Sequence, residues 1–404
     1  MQKKSVNRTF LILLLGILAA IGPFTIDMYL PGFQQIATAF QVEEQQVAFT
    51  LTSYFFGIAV GQLIYGPIVD KYGRKKPLLV GLSIYIIASL GCAIAFNLES
   101  LIAMRLLQAL GACVGMVASN AIISDVYEVE KRAKAFSLIM LVMGVAPLIA
   151  PSLGSIFIIN YGWATIFYFL ALFSFLVFML IYFFLPETSE HMHSHKLRGK
   201  KIALGYYFIL RNKVFLNYTL ASSLSMSILF GYISSASFIF LTYFGLSKET
   251  FSLVFAINAS GLISGSYVNG LLTSRFHFIK IAKVAVIVLL AVSGCVLFIV
   301  STTPTLPYQW VVASLFSILF LLGFINPNTT AASFAPFSGN AGAASALGGA
   351  IRMGVGAITA SIVGVLQSDS LVTVFVIILA LAVAVVVLTF KAPSIESKLK
   401  DTHN

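Results

Sequence analysis

The chain has 404 residues, of which 59% are hydrophobic and only 10% are charged. That composition leaves too little polar surface for a water-soluble globule of this size, so lipid must solvate much of the chain. The formal net charge of +11 is explained by loop charges that orient a membrane protein, which argues against a nucleic-acid-binding function.

Twelve apolar stretches predict membrane-spanning helices. At about 1.5 Å of rise per residue, each can cross a hydrocarbon layer of roughly 30 Å. The predicted spans are 9–30, 47–69, 77–96, 100–122, 134–158, 163–185, 215–243, 250–272, 280–301, 308–328, 341–366 and 371–390. The apolar stretch that begins near the N-terminus is interpreted as an uncleaved first helix. The fold class is therefore an all-α membrane protein.

Basic residues predict the orientation. The loops that share a side with the N-terminus hold all but three of the 25 Lys and Arg residues. Lys248 falls on the opposite side, and Arg105 and Arg352 fall inside predicted spans. Because positively charged loops stay in the cytoplasm, both termini are expected there.

Charged groups inside spans are the first candidate functional residues, since each costs about 2.5–3.5 kcal/mol to insert. Asp27 lies about 6 Å and Arg105 about 9 Å inside the same face of the membrane, from the rise per residue. Burial favours a protonated carboxyl and a nearby guanidinium favours an ionised one, so a conformational change could alter proton occupancy. Asp27 is therefore predicted to carry the exchanged proton, and the alternative is a structural ion pair or a cap of the helix near water.

Arg352 lies near the middle of helix eleven, and no predicted span of the C-terminal half contains an acid. A planar guanidinium suits an anionic or carbonyl-bearing substrate group. Helix ends or water could satisfy it instead, and both interpretations stay open.

The turn "GPIVDKYGRKKP", residues 66–77, concentrates charge between helices two and three. Its pattern consists of Gly66, Asp70, Gly73 and Arg74, followed by two lysines. Gly73 permits a sharp turn, and the basic residues suit anionic headgroups.

The longest polar interruption, 186–213, predicts a cytoplasmic linker between an N-terminal six-helix bundle, 1–185, and a C-terminal six-helix bundle, 214–404. A degenerate copy of the charged turn follows helix eight, with Ser274 in place of the acid, which suggests a parallel repeat. His191, His193 and His195 alternate in the linker, but a solvated linker is preferred to a metal site. No metal site is predicted.

Four stretches together resemble the major facilitator superfamily. The turn at 66–77 resembles its cytoplasmic latch, "AMRLLQALGA" resembles its fourth-helix motif, and "GVAPLIAPSLG" resembles the fifth-helix motif of antiporters. "FTIDMYLPGF" in helix one is similar to the drug:proton antiporter group, and most similar to its bicyclomycin and chloramphenicol resistance (Bcr/CflA) branch. The resemblance implies two bundles that border a central cavity.

The resemblance also implies roles for individual residues. Arg105 would take part in proton coupling and would tune Asp27, the acid that the residues themselves indicate as the proton carrier. The latch would comprise Gly66, Asp70, Gly73 and Arg74, and the antiporter motif would comprise Gly144, Pro147, Pro151 and Gly154. Polar and aromatic groups on cavity-bordering helices are substrate-binding candidates: Phe24, Tyr29, Tyr54, Asn120, Asn326 and Arg352.

The expected function is proton-coupled efflux of amphipathic drugs by alternating access in the bacterial inner membrane. No Walker A, HExxH or GxSxG pattern occurs, so neither an ATP-driven pump nor a hydrolase is expected, and the protein is not expected to be an enzyme. The coupling ion would be the proton, without another cofactor, and the protein would be a monomer in the lipid bilayer that binds a small-molecule substrate. The alternatives are a dedicated exporter of a metabolite or siderophore, a proton-linked nutrient importer, and a non-transporting sensor or scaffold.

Overall fold

The structure is a computed structural model that describes residues 8–126, 129–189, 199–303, 305–337, 341–366 and 370–393. For some helical positions, including Asp70, Asn120 and 129–144, it describes the backbone alone. The described residues are helical or lie in short turns, and they form two compact units that meet in the chain between residues 198 and 199.

The N-terminal unit contains the first seven α-helices. They are α1 (Arg8–Asp27), α2 (Phe33–Phe40), α3 (Glu44–Tyr72), α4 (Lys75–Ala93), α5 (Leu98–Val126), α6 (Val129–Tyr161) and α7 (Ala164–Phe184). Helix α5 packs against both α3 and α4, whereas α1 packs mainly against α6. The unit therefore places α1, which carries Asp27, against the helix that contains the antiporter-like motif.

The C-terminal unit contains the remaining α-helices. They are α8 (Gly199–Arg211), α9 (Lys213–Ser237), α10 (Lys248–Leu272), α11 (Phe278–Thr302), α12 (Tyr308–Phe334), α13 (Ala341–Leu366) and α14 (Leu371–Lys391). Helix α9 contacts α12, α13 and α14 and is the most deeply buried span of this unit. The part of the predicted linker from 199 to 211 is thus helical, while the three linker histidines lie outside the described residues.

Within the described part of the chain, 11 segments are long and apolar enough to cross a membrane, and Val145–Tyr161 is a shorter apolar segment at the end of α6. Helices α1 and α2 belong to a single candidate span, Phe10–Phe40. The 13 residues of α8 are too few to cross a bilayer. The segments correspond in order to the predicted spans.

The first span is not the continuous helix that was predicted over 9–30. Helix α1 ends at Asp27, and a 3₁₀ turn, Leu30–Gly32, precedes α2. Pro31 lies at the start of that turn, where its missing N–H group interrupts the α-helical hydrogen-bond pattern. Asp27 therefore occupies the end of a helical segment within the span, next to the backbone break.

Candidate functional site

Asp27 is buried at the break in the first span. Asp27 is only 4% exposed, although a carboxylate is costly to remove from water. The structure shows no hydrogen bond or ion pair to its carboxyl group from the side chains that it describes. Asp27 is therefore a buried carboxyl group without a side-chain partner among the described residues.

Arg105, on α5, is fully buried and surrounded by aromatic rings. Its guanidinium carbon lies 4.5 Å from the ring centre of Tyr54, 4.9 Å from that of Tyr29 and 5.8 Å from that of Phe167. The faces of aromatic rings attract cations, and this attraction partly offsets the loss of hydration. We call these four residues the Arg105 cage.

Two hydrogen bonds fix the orientation of the guanidinium. Its Nη1 atom donates to the Thr25 carbonyl oxygen at 3.2 Å and to Gln108 Oε1 at 2.7 Å. Gln108 in turn donates to Ser89 Oγ at 2.8 Å. Among the described residues, Nε and Nη2 of Arg105 have no hydrogen-bond partner, so the cation retains unused donors.

Two tyrosine–threonine hydroxyl pairs lie around the Arg105 cage, whereas the Tyr54 hydroxyl has no hydrogen-bond partner among the described residues. Tyr29 and Thr50 share a hydrogen bond of 2.7 Å, and Tyr85 and Thr25 share one of 2.6 Å. Thr25 therefore contacts α4 through its hydroxyl and α5 through its carbonyl. These bonds hold the last turn of α1, immediately before Asp27, in a defined position.

Gly154, on α6, lies against the other side of the same segment. A β-carbon at this position would overlap the carbonyl group of Met28, the residue after Asp27. Only glycine permits such a close backbone approach. Pro151 is buried one turn earlier and Pro147 is half-buried, whereas for Gly144 the structure describes the backbone alone.

The direct pair between Asp27 and Arg105 that the sequence made feasible is not present. The two side chains form no ion pair, and Arg105 binds the backbone carbonyl of Thr25, two residues before Asp27. Equal depth in the membrane is insufficient for contact, since side-chain direction also decides it. The shared role in proton coupling stays a prediction.

Aromatic substrate candidates in the N-terminal unit are already engaged with the protein. Tyr29 and Tyr54 are fully buried in the Arg105 cage. Phe24 is half-buried, and its ring packs edge-on against Phe173 with centres 5.7 Å apart. Asn120 belongs to α5, but its side chain lies outside the described residues. Their contact with substrate stays a prediction.

The charged turn between α3 and α4 forms a network within the N-terminal unit. Arg74 donates to Asp125 Oδ2 from Nε at 2.8 Å and to Asp125 Oδ1 from Nη2 at 3.3 Å. The Glu187 carboxylate accepts hydrogen bonds from the backbone N–H groups of Arg74 and Lys75, at 2.8 and 3.1 Å. The network thus joins the turn to the ends of α5 and α7.

Gly73 is required by the shape of this turn. Its φ of +82° is unfavourable for other residues, and an added β-carbon would lie 2.5 Å from Glu187 Oε2. Gly66 is a helical residue of α3, and the side chain of Asp70 lies outside the described residues. The latch role that was predicted for these residues stays a prediction.

Arg352 and Asn326 lie in the C-terminal unit, on α13 and α12. Arg352 is half-buried, and its guanidinium carbon lies 5.9 Å from the ring centre of Phe334. Asn326 Nδ2 approaches the sulfur of Met226 at 3.6 Å. Asn328, by contrast, donates to Asn269 Oδ1 at 2.7 Å and fixes α12 against α10.

Comparison with known proteins identifies the family. The family model of the Major Facilitator Superfamily matches residues 13–361. The chain belongs to this superfamily. The superfamily consists of membrane transporters, which agrees with the predicted spans and with the expectation that the protein is not an enzyme.

Two bacterial relatives align with nearly the whole of this chain. An uncharacterized MFS-type transporter, YdgK of Bacillus subtilis, is 33% identical over 368 residues, which is 90% of each chain. A bicyclomycin resistance protein homolog of Haemophilus influenzae is 32% identical over 383 residues, which is 91% of this chain and 92% of the relative. The predicted resemblance to bicyclomycin resistance proteins is thereby confirmed.

Solved structures of the superfamily share the fold. The crystal structure of a D-xylose–proton symporter has a TM-score of 0.76 and 14% sequence identity, and the match covers 96% of this chain and 98% of the symporter. An inward-facing, occupied bacterial homolog of the lysosomal transporter Spinster has a TM-score of 0.73 at 14% identity, covering 95% of both chains. At this identity the likeness establishes the major facilitator fold alone.

Several residues of these clusters were not among the sequence-based candidates. Asp125 and Glu187 pair with the charged turn from positions far along the chain, and Phe167 reaches Arg105 from α7. Both acids follow the ends of predicted spans, where a carboxylate can meet a basic turn, and that position was a usable signal. No pattern in the sequence distinguishes Phe167 from the other phenylalanines.

Proposed function

We propose that this superfamily member is a proton-coupled antiporter that exports amphipathic small molecules, including antibiotics, across the bacterial inner membrane by alternating access. Both termini would lie in the cytoplasm, and the protein would act as a monomer that needs no cofactor besides the proton. The Bcr/CflA branch of the drug:proton antiporters is the proposed subgroup.

The observation that carries the proposal is the convergence of three helices on the break after Asp27. Arg105 of α5 binds the carbonyl of Thr25 at 3.2 Å, before the acid, and Gly154 of α6 contacts the backbone of Met28, after it. The buried carboxyl group therefore lies in a segment whose position depends on α5 and α6. A shift of either helix would change the hydration of Asp27 and hence its protonation.

The relatives support export as the direction. The match to a bicyclomycin resistance protein homolog covers nearly the whole of both chains, and a 252-residue stretch is 29% identical to multidrug resistance protein MdtL of Escherichia coli. The fold also occurs in a proton symporter, and that likeness favours neither direction. Proton-linked uptake and export of a dedicated metabolite are the outcomes against which the proposal is tested.

The proton gradient supplies enough free energy. One proton that enters gains about 2.3 kcal/mol per 100 mV and about 1.4 kcal/mol per pH unit. Export of a neutral substrate costs about 1.4 kcal/mol for each tenfold concentration ratio. One proton per cycle can therefore support a steep substrate gradient.

The test compares wild type with Asp27→Asn in an efflux-deficient bacterium and in liposomes. We expect wild type to raise the inhibitory concentration of several unrelated antibiotics and to drive their transport with ΔpH. Asp27→Asn should lose the dependence on ΔpH while it still binds substrate, because the amide cannot release a proton. Transport by the variant with unchanged ΔpH dependence would contradict the role of Asp27, and accumulation by wild-type cells would contradict export.

A further inference from the structure

Arg352 is a half-buried cation that has no counter-charge among the residues that the structure describes. Its Nη1 atom is fully buried without a hydrogen-bond partner among the described residues. The acid of the C-terminal unit whose position the structure describes is Glu249, which is exposed in the first turn of α10 and forms no ion pair with Arg352. A guanidinium in a membrane span needs an acceptor, since its insertion alone costs about 2.5–3.5 kcal/mol.

Beside Arg352, α12 carries a row of polar and aromatic residues that contacts α9 and α13. On α12, Asn326, Thr330 and Phe334 follow one another at a spacing of four residues and therefore share a face. Two of them contact α9 directly: Thr330 shares a hydrogen bond of 3.0 Å with Ser222, and Asn326 approaches Met226. Phe334, the third, faces the guanidinium of Arg352.

Asn326 contributes a second unsatisfied group to this lining. Its Oδ1 atom is buried and has no hydrogen-bond partner among the described residues. Buried polar atoms without partners are uncommon, and each one calls for a ligand or water. Gly348, one turn before Arg352, packs closely against both groups: a β-carbon there would lie 3.7 Å from Nη1 and 3.3 Å from the Phe334 ring.

We propose that Arg352 binds the carboxylate of an aromatic substrate, with Phe334 against the ring system and Asn326 at a polar substituent. The guanidinium fork can donate two parallel hydrogen bonds to a carboxylate, a geometry that neither lysine nor a neutral residue reproduces. This inference rests on the proposed transport function and narrows its substrates to acidic and zwitterionic aromatic compounds.

Direct binding to purified protein tests the inference without a proton gradient. The protein is placed in nanodiscs of zwitterionic lipid and titrated with fluorescent aromatic carboxylic acids of naphthalene, pyrene and quinolone type, each paired with its methyl ester. We expect wild type to bind the acids at least about tenfold more tightly than the esters, which corresponds to roughly 1.4 kcal/mol or more. Arg352→Gln should abolish this preference, and Arg352→Lys should retain only part of it.

The matched control is Arg275→Gln, because Arg275 is an exposed arginine in the turn after α10. It should leave the preference for acids unchanged. If Arg352→Gln does not fold, as judged by its melting curve, Arg352→Lys and Phe334→Leu still test the site. Equal binding of acid and ester by wild type, no binding of any acid, or an undiminished preference in Arg352→Gln would each overturn the inference.

Two further arms separate the possible explanations. Anionic phospholipid in the nanodisc supplies phosphate oxygens, and strong competition that depends on Arg352 would identify a lipid headgroup as the occupant and overturn the assignment to substrate. Export of neutral compounds that is driven by ΔpH, without any preference for acids, would leave the proposed function standing while this inference fails. A preference for acids without such transport would leave this inference standing while the proposed function fails.

Discussion

At the scale of single residues, Arg105 illustrates how a buried charge is held without an acid. Its ring contacts and two hydrogen bonds replace hydration, and one of those bonds ends on the backbone just before Asp27. The cation is therefore in a position to transmit movement of α5 to the break in the first span. Its planar shape matters as much as its charge.

Replacement of Arg105 by lysine tests that point. An ammonium group cannot reach both Thr25 and Gln108 in the same geometry, and a hydrogen bond from a charged group is worth about 1.5–3 kcal/mol. We expect Arg105→Lys to lower the transport rate in liposomes by about ten- to a hundredfold. Arg275→Lys in an exposed turn should change it less than about twofold. Wild-type transport by Arg105→Lys would show that charge alone suffices.

Sequence reasoning found the buried charges but not their partners. Asp27, Arg105 and Arg352 stand out because charge is rare inside spans. The direction of each side chain depends on how the helices pack, and Arg105 donates to the Thr25 carbonyl oxygen instead of the Asp27 carboxylate. Thr25 and Phe167 carry no such signal, since their residue types are ordinary in membrane helices.

At the scale of elements, the contact between α1 and α6 depends on Gly154. Helices that meet without a hydrophobic driving force pack closely through small residues. Here the close approach occurs at Met28, where α1 has just ended. The antiporter-like stretch therefore has a packing function at the break, whatever its part in transport.

Gly154→Ala should destabilise the protein. Because the added methyl group would overlap backbone, the helices must separate, and such overpacking costs about 1–3 kcal/mol. We expect a lower melting temperature in detergent and slower transport. Gly294→Ala on α11 is the matched control, since a β-carbon there meets no atom within 4 Å. If both variants melt at the same temperature, the close contact contributes nothing to the stability of the protein.

The turn between α3 and α4 provides a second comparison of glycines. Gly73 and Gly162 both have positive φ values, +82° and +88°, but only Gly73 has a neighbour within 4 Å, the Glu187 carboxylate. Alanine at either position pays the backbone strain of about 1–3 kcal/mol. Alanine at Gly73 should therefore lower the melting temperature more than alanine at Gly162.

The excess effect at Gly73 should depend on the acid. In a Glu187→Ala background the two alanine variants should become similar, because the clash is gone and only backbone strain is left. Melting curves of the four combinations at Gly73 and Glu187 form a double-mutant cycle. If the larger fall in melting temperature at Gly73 persists without Glu187, it arises from the backbone alone.

At the scale of the whole molecule, the sequence predicts the number and order of the spans well. Length and hydropathy are sufficient because each span must satisfy its own backbone within lipid. The sequence was wrong about the continuity of the first span, and the helix α8 was not expected in the linker. Both depend on local backbone features that a hydropathy pattern averages out.

Orientation is the whole-molecule property that decides how Asp27 meets protons. If the N-terminus is cytoplasmic, α1 ends near the opposite face and Asp27 lies closer to the outside.

Two exposed serines flank α10 and report this orientation: Ser247 precedes the helix near Lys248, and Ser274 follows it near Arg275. With the native cysteines replaced, a membrane-impermeant maleimide should label Ser247→Cys in intact cells. It should label Ser274→Cys only after permeabilisation, since basic turns are retained in the cytoplasm. The reverse pattern would place Asp27 near the cytoplasm, where incoming protons leave the protein, and export by the proposed scheme would then require release at Asp27 instead of uptake.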